Sequence, residues 1–144
     1  MILLSAALMG WLAAVPAERP AIVVQAPDSP VRLDRAIVLQ GAEGPPVVLY
    51  SATNLTEAQL EQFTVMAFVF DANGALKARQ VAPGRRTLDA RETKYSTLVL
   101  DGSPIEPTFV IVIGANQAQR AGSEVWWHAD LQPAAEAAVP LKKR

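Results

Sequence analysis

The sequence predicts an all-β domain built as an antiparallel two-sheet sandwich. Three observations point there: seven to eight runs of strand length, turn-forming Gly, Pro, Asn and Asp residues between them, and a single short stretch with helix-capping signals. With 144 residues, 51% hydrophobic and 19% charged, the chain is one domain long and apolar enough to bury a core.

From Met1 to Val15 there is no charged side chain, and Pro16-Ala17-Glu18-Arg19-Pro20 follows. This run is shorter than the roughly 20 residues that cross a bilayer as a helix. Val15 and Ala17 are small residues placed as at a peptidase site, so residues 1–17 read as a signal peptide, with no transmembrane span after cleavage. No basic residue precedes the run, which keeps an uncleaved anchor open.

The sandwich then occupies residues 18–132. Its first runs are Ala21 to Gln25, Val31 to Leu39 and Val47 to Ala52, punctuated by Pro27-Asp28-Ser29-Pro30, Gly41 and Gly44-Pro45-Pro46. Thr56 to Gln62 is the helical candidate, with Thr56 as cap and Gln59 completing a capping box. Phe63 to Phe70 is apolar on both parities, as a strand covered on both faces would be. Asp71-Ala72-Asn73-Gly74 predicts a hairpin, because Asn and Gly accept the positive φ of tight reversals. Ala75 to Val81 returns with Leu76 and Ala78 on one side and Lys77 and Arg79 on the other, a half-exposed strand. After Pro83-Gly84 come Lys94 to Leu100, Phe109 to Ile113 and Val125 to Leu131. In the last run Trp127 shares the core parity with Ala129 and Leu131, and Trp126 shares the exposed parity with His128 and Asp130. Residues 133–144 read as a flexible tail. The strand count and size suit an immunoglobulin-like sandwich, without that fold's cysteine pair.

Composition removes much chemistry. There is no Cys, which excludes disulfides, thiol catalysis and thiolate metal sites, and only one His. Thirteen basic residues against 14 acidic ones leave a net charge of −1, which gives no bulk attraction to nucleic acid. A cysteine-free exported domain must be stable from its core alone.

The stretch Val47 to Asn54, the apolar run closing at Phe70-Asp71, the turn at Gly74 and the segment Leu88 to Tyr95 together resemble the FxLYD-like bacterial exported domains. The similarity covers residues 47–113. It departs where that group places Pro-Gly before the Glu, since Ala90-Arg91 precedes Glu92 here. The resemblance implies an extracytoplasmic β-sandwich and brings no catalytic residue with it.

Candidate reactive groups are sparse. His128 and Asp130 project together from one strand as a two-ligand or proton-transfer pair, or simply as a solvated parity. Ser123 lacks the glycine pattern of a nucleophile elbow, and Glu57 and Glu61 have surface helical spacing. The basic residues Lys77, Arg79, Arg85, Arg86, Arg91 and Lys94 could gather on one face, diluted by Asp89 and Glu92. Trp126, Tyr50 and Tyr95 are candidate contact aromatics. The expectation is a non-enzymatic, cofactor-free periplasmic or secreted module that binds another envelope protein through a sheet edge or loop surface. The second reading is an anionic ligand or surface polymer held by the 77–94 face.

Overall fold

The computed structural model describes residues 17–41, 43–101, 105–122 and 126–140. The expected leader, the side chain of Trp126 and the closing Lys142-Lys143-Arg144 lie outside those described.

Nine strands are described: β1 (Ala17–Pro20), β2 (Ile22–Val23), β3 (Val31–Gln40), β4 (Val47–Asn54), β5 (Leu60–Phe70), β6 (Leu76–Pro83), β7 (Thr93–Val99), β8 (Val110–Arg120) and β9 (Trp126–His128). A four-stranded sheet has the order β1-β3-β4-β7 and a five-stranded sheet the order β2-β8-β5-β6, with β9 also on β8. All pairings are antiparallel except β2 on β8. The first described extended run is therefore divided between the two sheets.

The two sheets face each other across the main core. Val31, Leu33, Ala36, Val38, Val48, Tyr50, Ala52 and Leu98 of the smaller sheet meet Phe63, Val65, Ala67, Val69, Ile111, Ile113 and Ala115 of the larger. β5 is apolar on both parities because its outer face is covered as well. Met66, Phe68 and Phe70 there pack with Val112 against Val24, Leu131, Ala135 and Val139.

That cover is a helix, α1 (Gln132–Ala138), where the sequence suggested a flexible tail from 133 onward. Pro in its first turn suits a helix start, and the apolar residues Leu131, Ala135 and Val139 recur at i, i+4 and i+8, which gathers them on the face turned to the sheet. Gly114 makes the approach possible, since a Cβ there would sit 2.6 Å from Leu131 Cδ1 and 2.7 Å from the Val24 carbonyl oxygen.

The expected helix at Thr56 to Gln62 is instead a turn followed by the start of β5. Asn54 is the cause. Its fully buried side chain accepts the Thr56 N–H at 2.9 Å and hydroxyl at 2.8 Å through Oδ1, and its Nδ2 donates to the carbonyls of Ala58, Leu88 and Asp89 at 2.8, 3.0 and 3.1 Å. Such side-chain-to-backbone bonds compete with a helical first turn. They also pin the 55–60 and 88–89 segments together.

Register shifts change which way side chains face, two of them near the candidate residues. In β3 the register shifts between Asp34 and Ile37, and Arg35 takes a φ of 50°. Inward residues therefore move from Val31 and Leu33 to Ala36 and Val38. In the β5–β6 hairpin a shift between Val69 and Phe70 separates Leu76, which packs in the outer cluster, from Ala78, which packs in the inner one. The sequence placed these two on a common side.

Candidate functional site: the bare outer face of the smaller sheet

The basic residues that sequence spacing groups together are dispersed by the fold. Arg79 lies over the Phe68 ring, 5.9 Å from its centroid, and meets Asp130 at 3.7 Å and Gln132 at 2.5 Å beside α1. Lys77 lines a separate hollow of about 240 Å³ with Asp101 and Glu106. Arg91 is paired with Glu57 at 2.6 Å, and Lys94 lies 3.6 Å from Glu92 while donating to the Thr87 carbonyl at 2.8 Å. Arg85 borders a second hollow, on the smaller sheet. Arg86 is exposed next to it on the β6–β7 connection.

That hollow, about 420 Å³, is lined by Leu49, Arg85, Tyr95, Ser96 and Thr97 on the smaller sheet. It belongs to a wider surface set by the strand registers. Pro20, Ile37, Leu49 and Thr97 form one cross-strand row, and Glu18, Leu39, Val47 and Val99 form the next. These residues alternate with the buried Val38, Val48 and Leu98, so they project away from the core. No element packs over them among the described residues. Tyr95 and Val99 are 59% and 45% exposed.

Arg35 is the residue that sequence reasoning missed. Its bulge carries the guanidinium across the sheet, where Nη1 donates to the Tyr95 hydroxyl at 3.0 Å. Arg85 Nη1 reaches the Tyr95 carbonyl at 3.5 Å. Among the described residues no carboxylate pairs with either arginine. The signal was present in the apolar phase of β3, which skips from Leu33 to Ala36 where strict alternation requires residue 35. A non-glycine residue at positive φ costs about 1 kcal/mol or more, and such strain gathers at working surfaces.

The sheet edges are poorly suited to adding a strand. The Gly84 N–H to Phe63 carbonyl bond sets the phase of the β5–β6 ladder, so Arg79, Val81 and Pro83 face the free edge of β6, and the bulge at Lys77 interrupts its start. Charges and a proline without an N–H blunt it. In β7 the bonds from Asn54 N–H to Glu92 and from Leu100 N–H to Pro46 leave Thr93, Tyr95, Thr97 and Val99 facing outward. The carbonyls of Tyr95 and Val99 are taken by Arg85 and by Gln80 Nε2, the latter at 2.8 Å, which interrupts this edge at two of its four outward positions. On the opposite side, β1 offers four residues ending in Pro20.

His128 and Asp130 are both exposed, as a solvated parity requires. Asp130 Oδ1 accepts the Gln132 N–H at 3.0 Å at the start of α1 and lies 3.7 Å from Arg79, so this carboxylate already has local partners. Among the described residues no group of three or more His, Cys, Asp or Glu could hold a metal ion, and no helix is long and apolar enough to cross a membrane. Tyr50 is a core residue, not a contact aromatic. Burial pushes its hydroxyl above the ordinary value. The Asn54-Leu55-Thr56 sequon is closed to modification in the folded chain, since Asn54 is fully buried and bonded.

Comparison with family models, curated proteins and solved structures finds no match to this chain.

Proposed function

We propose that the protein is a non-enzymatic, exported β-sandwich module that binds another protein of the cell envelope. The observation that carries this reading is the contrast between the two outer sheet faces. Each carries apolar rows; α1 covers those of one, and the rows around Leu49, Val47 and Val99 stay open on the other, beside the polar Arg32–Asp34 and Thr53–Thr93 pairs. Bare apolar sheet faces of this kind mark interaction sites in soluble domains. The proposed export rests on the leader, and a cysteine-free exported domain is held by its core alone.

The FxLYD-like affinity stays part of this proposal, supported by Phe70-Asp71 closing β5 and by the turn at Gly74, whose φ is 86°. The immunoglobulin-like comparison has mixed support. The divided first strand favours it, whereas β3 and β4 pair in one sheet, where that fold puts its second and third strands in opposite sheets. The anionic-polymer reading lacks a continuous surface, because Arg79, Arg91 and Lys94 have acidic partners and Lys77 lies elsewhere.

The reading is tested by photo-cross-linking in the native host, with a benzophenone side chain at Val99 or at Val81. Both positions are exposed, at 45% and 54%, but Val81 belongs to β6 of the other sheet. A discrete adduct from Val99 and none from Val81 is expected. Absence of any adduct from Val99 would overturn it.

A further inference from the structure

We propose that the outer face of the four-stranded sheet receives an amphipathic, carboxylate-bearing helix of the partner protein, seated along its apolar rows with its acidic side against Arg35 and Arg85. This rests on the protein-binding reading above and names the chemistry of its partner.

The shape argument comes from the molecule itself. Its five-stranded sheet is already covered by a helix that lays Leu131, Ala135 and Val139 onto Met66, Phe68 and Val112. Helix on sheet is one of the few ways to bury an apolar sheet face, and the guarded edges of β6 and β7 oppose the alternative of an added strand. The open face offers the same kind of platform: Ile37 opposite Leu49, and Leu39 opposite Val47 and Val99.

Charge chooses the occupant. Arg35 and Arg85 flank Tyr95 without a carboxylate partner among the described residues, so the β7 side of the face is cationic. The run Met1 to Val15 carries no acidic residue and cannot complement it. A second copy would bring from this face Glu18, at the far β1 border, and Asp34, which Arg32 already holds at 3.4 Å, to meet Arg35, Arg85 and the neighbouring Arg86. A helix of another protein with Glu or Asp beside its apolar stripe satisfies both demands. The guanidinium groups are suited to it, since they engage carboxylates in a fork and stack on aromatic rings.

The test uses two synthetic helical peptides with one Leu/Ala stripe at i, i+4 and i+8, flanked by Glu in one and by Lys in the other, titrated into the full chain by calorimetry. The Glu-flanked peptide is expected to bind roughly three- to tenfold tighter, the range two exposed ion pairs supply. The double variant Arg35→Glu/Arg85→Glu is expected to reverse that order, which loss of folding cannot imitate, and Val99→Asp to weaken both peptides. Equal binding of the two peptides would overturn the charge assignment. Equally tight binding of unstructured polyglutamate would overturn the helix in favour of an anionic polymer. Self-association of the chain, abolished by Val99→Asp, would overturn it in favour of a second copy. Failure of both peptides would overturn the helix, while the Val99 cross-link separately decides whether this face binds protein.

Discussion

Replacing Asn54 by Ala removes the hub that converts a potential helix into the turn before β5. The Nδ2 group has two hydrogens to share among the carbonyls of Ala58, Leu88 and Asp89, and Oδ1 accepts the N–H and hydroxyl of Thr56, so four hydrogen bonds are lost. At about 1 kcal/mol each the ceiling is about 4 kcal/mol. The loss is smaller because the Leu88 carbonyl keeps the Leu60 N–H at 2.9 Å, and the Asp89 carbonyl keeps the Glu92 N–H at 3.0 Å. The Thr56 N–H loses its partner. A destabilisation of about 3 kcal/mol is expected, measured as a shift in the urea midpoint at unchanged slope. Asn54→Asp separates hydrogen bonding from packing. Its carboxylate would face three carbonyl oxygens in a buried site, so its folded pKa rises above the unfolded value of about 3.9. Any stability it retains is then present below that value and declines as pH rises through the folded pKa. A loss below about 1 kcal/mol in Asn54→Ala, or an Asn54→Asp variant as stable at pH 7 as at pH 4, would refute this reasoning.

Other perturbations follow from the same packing. Tyr50→Phe deletes a buried hydroxyl that has no hydrogen-bond partner, so urea unfolding is expected to show no loss, or a gain of up to about 1 kcal/mol. Gly84→Ala would drive a Cβ into the Phe63 ring in the core, and a loss of about 2 kcal/mol or more is expected in thermal unfolding. Ending the chain at Asp130 uncovers Phe68 and Phe70, which should appear as dye binding to exposed apolar surface with the β-type circular-dichroism spectrum retained. The Asp71 carboxylate is held below its ordinary range by the N–H groups of Ala75 and Asn73, so its contribution to the hairpin is present above the unfolded pKa and lost as pH falls through the folded one. A carbon-detected NMR titration placing Asp71 at or above the value of a free Asp would contradict that.

Much of the fold was legible because strand alternation and turn chemistry leave local marks. The Asp71 to Gly74 reversal and the doubly apolar β5 were readable from residue types alone. What failed was long-range. The apolar spacing of Leu131, Ala135 and Val139 gains meaning only beside Phe68, and Thr56 caps nothing once Asn54 claims its N–H. The apolar run Phe109 to Ile113 gives way to Gly114 and polar residues, so its pattern does not announce that β8 continues to Arg120; Gly114 is the gap that admits Leu131 and Val24.

The candidate surface was less legible than the fold. Linear spacing put six basic residues on one face, but strand direction, the β6 bulge and acidic partners from other segments divided them. Arg35, absent from that group, joins Arg85 at Tyr95 only because its strand bulges. A charge cluster in sequence fixes neither the sheet face nor the pairing of each member.

The central claim is that the open face around Tyr95 is the working surface of the molecule. Hydroxyl-radical footprinting compares Tyr95 with His128, which is also exposed but lies on β9 of the other sheet. Between purified protein and protein in its native envelope, oxidation of Tyr95 is predicted to fall while that of His128 stays constant. Equal labelling of Tyr95 in both settings would contradict the account.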